Sequence, residues 1–469
     1  MFRFFKDFFI YGFASVLSKI IAVFLMPVYT SVLTKEEYGA MALIVSCKGV
    51  IDLVSNLNIH SGIARDYYEK DINRGRLVST GFFSILTLSV FILCILVLTR
   101  NFWTESILEL SQRYDSAFLL MLFSIPAGSV LSYFSILTRF KKKPILYTIG
   151  SLVQILVQTS ISVIGVVVLK YGIVSVFTGV LIAELFGIIY FAFINREYIE
   201  FSFEWKYLKR ALLYAIPTLP AILAGWIDSS IGQIFINKYV STADLGVYSI
   251  SLQFASVFTL ISIGLNNTWG PFLYENYTKE GFKKQVNDLF TIIVLGLTIV
   301  SVTISLLSKE LVLLLSNPSY INAAEYIVLL CIPMAVYLLF PIVSSGISIS
   351  RDTKYIGIAY VAGSLINILF LLLLIPKMGI IIVPISLALS RIVSYIIQYI
   401  VTKRKGILVL PSKYIVFLIA MCIAMYFVVT YDISLTYRII LTIVIDGLIA
   451  WYVTKKYNLK SFINNFIKK

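Results

Sequence analysis

Apolar runs long enough to cross a lipid bilayer recur along nearly the whole chain, and this decides what it can fold into. A helix rises about 1.5 Å per residue, so about 20 apolar residues span ~30 Å of hydrocarbon. Inside hydrocarbon every backbone N–H and C=O must be satisfied by the protein, which leaves helices or closed barrels. The runs are continuous and lack period-two alternation, so helices are expected and a barrel is not. Composition agrees: of 469 residues, 59% are hydrophobic and 13% charged. A soluble chain of this length needs far more polar surface. The expected class is an all-α polytopic membrane protein.

We read about 14 transmembrane helices, from Phe8–Leu33 to a final, shorter pair, Tyr414–Val429 and Tyr437–Val453. The loops alternate in charge. One set holds 28 of the 39 Lys and Arg, including Arg3, Lys6, Lys70, Lys142, Lys460, Lys468 and Lys469. The opposite set holds 8, and Lys19, Lys48 and Arg391 fall inside spans. The positive-inside rule then puts both termini in the cytoplasm. It also accounts for the net charge of +15 without a nucleic-acid partner, because the charge is spread over short loops.

The chain repeats itself with an offset near 207 residues. Thr34–Gly39 matches Ser241–Gly246, Ile125-Pro126 matches Ile332-Pro333, and Lys170 with Gly172 matches Lys377 with Gly379. Gly150–Leu156 matches Gly363–Leu369 at a slightly larger offset. Each unit holds six helices, an even number, so the two halves run parallel about an axis along the membrane normal. The expected domains are an N-terminal six-helix lobe (residues 1–204), a C-terminal six-helix lobe (205–403) and helices 13 and 14 (404–469). Transporters built this way bind cargo between lobes that rock.

Six charges lie inside the expected spans: Lys19, Lys48, Asp52, Glu184, Asp228 and Arg391. A charge near the bilayer midplane costs several kcal/mol unless it faces a polar interior, so these residues are functional candidates. Lys48, Asp52 and Asn56 are spaced i, i+4, i+8 and share one helix face. Glu184 and Arg391 occupy equivalent repeat positions, which suggests a cross-lobe ion pair or two poles of one cavity; two separate packing pairs is the plainer reading. Asp228 reads as a coupling site for a proton or cation, as a counter-charge for Lys19, or as a satisfied structural carboxylate.

The opening Pro27-Val28-Tyr29-Thr30-Ser31-Val32-Leu33-Thr34-Lys35-Glu36-Glu37-Tyr38-Gly39 is similar to the start of bacterial O-antigen and polysaccharide repeat-unit flippases. Two six-helix lobes plus a helix pair resembles the multidrug/oligosaccharidyl-lipid/polysaccharide superfamily to which they belong. The resemblance implies transfer of an undecaprenyl-pyrophosphate-linked oligosaccharide from the cytoplasmic to the outer leaflet of the bacterial inner membrane, by alternating access, in O-antigen or other surface polysaccharide biosynthesis. It implies membrane lipids, a coupling ion (H+ or Na+), glycosyltransferases and a polysaccharide polymerase as partners, and no cofactor. The alternative is a cation-coupled multidrug exporter of the same superfamily.

In the resemblance, Ser18-Lys19 and Lys48 match a Ser-Arg pair and basic residues of lipid II flippases. The further Arg-Asp pair of those proteins is missing after Lys19, which weighs against lipid II as cargo. A pyrophosphate carries about two negative charges, and a low-dielectric cavity with Lys or Arg binds it strongly. Lys19 and Lys48 suit that role, Arg391 offers bidentate phosphate contacts, and Arg65 at the end of helix 2 could receive the headgroup or simply obey the positive-inside rule.

Asn266 and Asn267, with Trp269, could hydrogen-bond and stack on sugars, although Trp269 precedes Gly270-Pro271 and reads equally as a helix end. His60 reads as an ordinary interfacial histidine, and Asp446, midway along helix 14, has no evident partner. The four cysteines, Cys47, Cys94, Cys331 and Cys422, lie in apolar runs without paired spacing and read as buried thiols, not a metal site. No cleavable signal peptide is apparent. No phosphate-binding Gly-Lys-Ser/Thr loop and no long hydrophilic loop is present, so an enzyme is not expected.

Overall fold

The computed structural model describes residues 2–457 except 70, 142 and 432, and side chains from residue 16 onward except that of Asn267. Lys70, Lys142, Lys460, Lys468 and Lys469 of the basic loop set lie outside the described residues, as do the side chains of Arg3 and Lys6. The described residues form helices joined by turns and short irregular segments, with no strand among them. In order the helices are α1 (Phe2–Val32), α2 (Lys35–Asn56), α3 (Ile59–Asp66), α4 (Arg74–Leu98), α5 (Asp115–Phe140), α6 (Pro144–Val163), α7 (Ile173–Asn195), α8 (Trp205–Ala215), α9 (Leu219–Tyr239) and α10 (Thr242–Ala255). There follow α11 (Val257–Asn276), α12 (Phe282–Leu306), α13 (Ser308–Leu315), α14 (Ala323–Leu338), α15 (Phe340–Val343), α16 (Ser345–Ile349), α17 (Lys354–Met378), α18 (Ile382–Arg404), α19 (Lys413–Thr430) and α20 (Leu435–Tyr457).

Among the described residues, eleven runs are long and apolar enough to cross a membrane, or twelve when α10 and α11 count as one bent span. The expected fourteen is not reached by this measure. One run, Lys354–Arg404, contains both α17 and α18. α1 enters only as the shorter Val16–Val32.

The chain divides into two compact units, Met1–Ser249 and Ile250–Lys469. In the first, α5 is the most buried span and packs on α2, α4 and α7. In the second, α14 is the most buried span and packs on α12, α18 and α19. Both carry a mid-helix proline, Pro126 and Pro333, which removes one ladder hydrogen bond and bends the helix.

The sequence repeat has structural counterparts. Thr34 caps α2 by accepting from the Glu37 N–H at 3.1 Å, while Glu37 accepts from the Thr34 N–H at 2.9 Å. Ser241, its repeat partner, accepts from the Asp244 N–H at 3.0 Å and donates to the Asp244 carboxylate at 2.7 Å. The first is a capping box, and the second is a side-chain cap at the matching position 207 residues on. Gly172 (φ 58°, ψ −142°) and Gly379 (φ 64°, ψ −147°) share a conformation that only glycine adopts readily. Each lies between the helices of a tightly packed hairpin, α6/α7 and α17/α18.

Cys94 departs from the expectation of a buried thiol. It is exposed on α4, beside the outward-facing Phe91, Ile95 and Leu98. On a membrane-spanning helix such a face meets lipid, where a thiol is as comfortable as in a core. Cys47, Cys331 and Cys422 are buried and free.

Candidate functional site

In the first unit α2, α5 and α7 pack against one another and gather charge in their midst. Lys48 on α2 lies 3.3 Å from Asp52, one turn on, and 3.4 Å from Glu184 on α7. Its ammonium also donates to the Ser124 carbonyl of α5 at 3.4 Å. That close approach depends on Gly128. A methyl there would sit 3.0 Å from Glu184 Oε1 and 3.1 Å from Lys48 Nζ.

The geometry is loose. Charge-assisted N–H···O contacts ordinarily close to about 2.7–2.9 Å. Here one ammonium is shared among three acceptors at 3.3–3.5 Å. Glu184 is 8% exposed, and its Oε2 is buried with no hydrogen-bond partner among the described residues. Such a group in a low-dielectric interior is costly.

Asn56, the third residue of the face, is committed locally. Its side-chain amide donates to the Asp52 carbonyl at 2.7 Å, and its oxygen accepts from the Asn58 N–H at 2.9 Å. Thus it finishes α2 where Leu57 and Asn58 turn left-handed, at φ 46° and 55°. Lys19 is half-buried on α1 and forms no ion pair among the described residues. Arg65 is exposed, with its guanidinium 5.3 Å from the Tyr214 ring centre. Asp228 is buried in α9, a helix held to α2 by Trp226, whose indole N–H donates to the Ser46 carbonyl at 3.1 Å.

Glu184 therefore finds its cation in Lys48 of its own unit. Arg391, the equivalent position in the second unit, is buried on α18 with its guanidinium 4.1 Å from the Tyr337 ring centre. Of the expected site residues, Lys48, Asp52 and Glu184 come together in one cluster, while the Asn56 side chain is taken up by the end of α2. The sequence reading missed the Lys48–Glu184 pairing and the part played by Ser124 and Gly128. Pro126, between the last two, was a usable signal, since proline beside glycine thins and bends a helix.

Trp269 is buried and donates to Ser345 Oγ at 2.9 Å, while Asn266 is exposed and donates to Ser262. Asp446 accepts from Thr303 Oγ1 at 2.8 Å, which supplies the partner that the sequence left open. No group of three or more His, Cys, Asp or Glu side chains suited to a metal occurs among the described residues.

The profile of a family described as "Polysaccharide biosynthesis protein" matches residues 28–269, just over half of the chain. The chain belongs to this family. No curated protein matches it in sequence. Among solved structures it resembles the lipid II flippase MurJ in an inward closed conformation, with a TM-score of 0.69 at 16% identity over 95% of this chain and 99% of that one. It also resembles an inward-facing multidrug resistance MATE family transporter of the MOP superfamily, with a TM-score of 0.67 at 14% identity over 85% and 94% of the two chains. A MATE transporter of Vibrio cholerae, VcmN, aligns with a TM-score of 0.57 at 13% identity over 86% and 96%. The chain thus shares the fold of these MurJ and MATE structures. The solved structures that share it are transporters and flippases rather than enzymes.

Proposed function

We propose that this protein flips an undecaprenyl-pyrophosphate-linked oligosaccharide from the cytoplasmic to the outer leaflet of a bacterial inner membrane, by alternating access, during surface polysaccharide biosynthesis. Family membership and a fold shared with a lipid flippase support the reading. The observation that carries it is the Lys48 ammonium, shared loosely between Asp52 and Glu184 within the first unit.

A loosely held ammonium is an exchangeable one. An arriving pyrophosphate offers about two negative charges and several acceptor oxygens, and competes with the carboxylates for Lys48. A proton delivered to Glu184 removes one competitor and frees the lysine for cargo. When cargo leaves, the carboxylates reclaim the ammonium. Coupling to a proton follows without a dedicated metal site. Lys19, one helix away and without an ion pair among the described residues, serves as a second anion contact in this scheme.

The test is a Lys48→Met strain, assayed for lipid-linked saccharide on each leaflet. The expected result is accumulation on the inner leaflet and loss of exported polysaccharide. Normal export would sink the proposal.

One observation favours the exporter alternative. The cluster holds two carboxylates to one ammonium, and an excess of acid suits a cationic drug. Glu184→Gln discriminates: drug accumulation with intact polysaccharide export would replace the flippase by the exporter.

A further inference from the structure

The second unit contains a cavity of about 320 Å³ bounded by α11, α14, α15, α16, α17 and α18. Its walls combine aromatic faces with neutral hydrogen-bonding groups. Trp269, Tyr274, Tyr337 and Tyr360 supply the rings, and Asn266 and Gln398 the amides. Ser262, Ser344 and Ser348 add hydroxyls. None of the lining residues is charged.

Gln398 is the telling member. It is fully buried on α18, and neither its amide nitrogen nor its carbonyl oxygen has a hydrogen-bond partner among the described residues. Burying a primary amide without partners is costly, because each group gives up its bonds to water and gains none in return. Native structures rarely tolerate this without a use for the group. Gln398 is one of the residues lining a cavity of ligand-binding size.

The aromatic wall is braced. The Tyr337 ring lies beneath the Arg391 guanidinium at 4.1 Å, a cation–π contact that fixes the ring plane. Trp269 is anchored through its N–H to Ser345. Rigid rings beside neutral amides suit a ligand with apolar C–H faces and a rim of hydroxyl or amide groups. That is a sugar ring. A pyrophosphate is poorly served by uncharged walls, and a prenyl chain would strand Gln398. The chain has an apolar groove for comparison, in the first unit, lined by Cys47, Val50, Ile51, Phe118 and other apolar side chains.

We infer that this cavity is a saccharide subsite, which binds a sugar of the lipid-linked cargo through the Gln398 and Asn266 amides while Tyr337 and Trp269 provide the stacking wall. The inference rests on the flippase reading and concerns the second unit alone. The helix ends around the cavity lead into the segments carrying Lys279, Lys283, Lys284, Arg351 and Lys354, which the positive-inside rule assigns to the cytoplasm, where the loaded lipid is made.

The test compares two probes on full-length protein in nanodiscs: bare undecaprenyl pyrophosphate, and the same lipid carrying the repeat-unit oligosaccharide of the source cells. The wild type is expected to bind the glycosylated lipid at least about 10-fold tighter. Gln398→Leu should bring that ratio near one without changing affinity for the bare lipid. Asn266→Leu, at an exposed position with little risk to folding, should lower the ratio several-fold. A ratio unchanged in both variants overturns the subsite and leaves the flippase reading intact. Failure of the wild type to bind either lipid overturns both.

Discussion

Gly39 and Gly246, repeat partners 207 residues apart in sequence, pack against each other. The Gly246 N–H nitrogen would lie 2.9 Å from a methyl placed on Gly39, and the Gly39 nitrogen 3.2 Å from one placed on Gly246. Each methyl would also collide with a backbone carbonyl, of Thr242 and of Lys35 respectively. The capped N-termini of α2 and α10 thus cross with backbone against backbone, an approach open only to residues without a side chain.

The first prediction concerns that crossing. Gly39→Ala or Gly246→Ala forces a shift of rigid backbone and should cost about 1–3 kcal/mol. The comparison is Gly296→Ala in α12, where a methyl meets nothing within 4 Å and helix propensity should improve slightly. Thermal unfolding in detergent should show lower midpoints for the first two variants and an unchanged or higher one for the third. Equal behaviour of all three would contradict the crossing.

Lys48 gives the second. Lys48→Met leaves Asp52 and Glu184 facing each other without their cation, and breaking a buried pair costs about 3–5 kcal/mol. Adding Glu184→Gln should recover most of that stability, since the remaining groups are neutral or hydrated. It should not recover flipping. A double variant no more stable than Lys48→Met would show that the pair is not coupled.

A third prediction uses Arg438, whose guanidinium holds Glu310 through contacts of 2.6 and 2.9 Å and also donates to the Leu306 and Ile433 carbonyls at 2.8 Å each. This fork ties α20 to the end of α12 and to α13. Lysine keeps the charge but cannot reproduce the fork. Arg438→Lys should therefore lower the unfolding midpoint nearly as much as Arg438→Leu, and exchange of charge between the two positions should not restore it. Full stability in Arg438→Lys would show that charge alone matters.

The fourth concerns pH. His60, in α3 beyond the end of α2, is held below the usual histidine value of 6.5, first by burial and then by the positive charge of Arg139. The unfolded chain thus takes up the proton at higher pH than the folded protein. The stability linked to His60 is fully present above about pH 7.5, then falls as pH drops through 6.5 towards the lowered folded value. His60→Gln should flatten the dependence of unfolding midpoint on pH between about 7.5 and 5. An unaltered slope would remove His60 from the account.

Several of these features are legible in the amino-acid sequence. Apolar run length and continuity set helical membrane crossing, because backbone satisfaction in hydrocarbon leaves helices or barrels and a barrel needs period-two alternation. Thr34-x-x-Glu37 and Ser241-x-x-Asp244 set helix starts through bonds that close within four residues. Gly172 and Gly379 set hairpin turns because their backbone angles exclude side chains. All of these are local, so a linear pattern carries them, and the repeat emerges because the same local patterns occur twice. The residues of the charged cluster are legible too, since charge is scarce in a span and each instance stands out.

Which charges meet was decided by tertiary structure. Lys48 and Asp52 are neighbours by helical periodicity alone, but Glu184 joins them only because α7 and α2 both pack against α5, with Gly128 giving room. A sequence offset suggested Arg391 for Glu184. Proximity in the folded unit chose Lys48, because the Coulomb attraction of side chains falls with distance and takes no account of repeat position. Thr303 as partner to Asp446, the buried amide of Gln398 and the contact of Gly39 with Gly246 depend likewise on which helix faces meet. The sequence by itself determined a helical membrane protein built from a repeated half, because hydrocarbon and backbone geometry act locally. Only the packing of helices distant in the chain made a site of its charges.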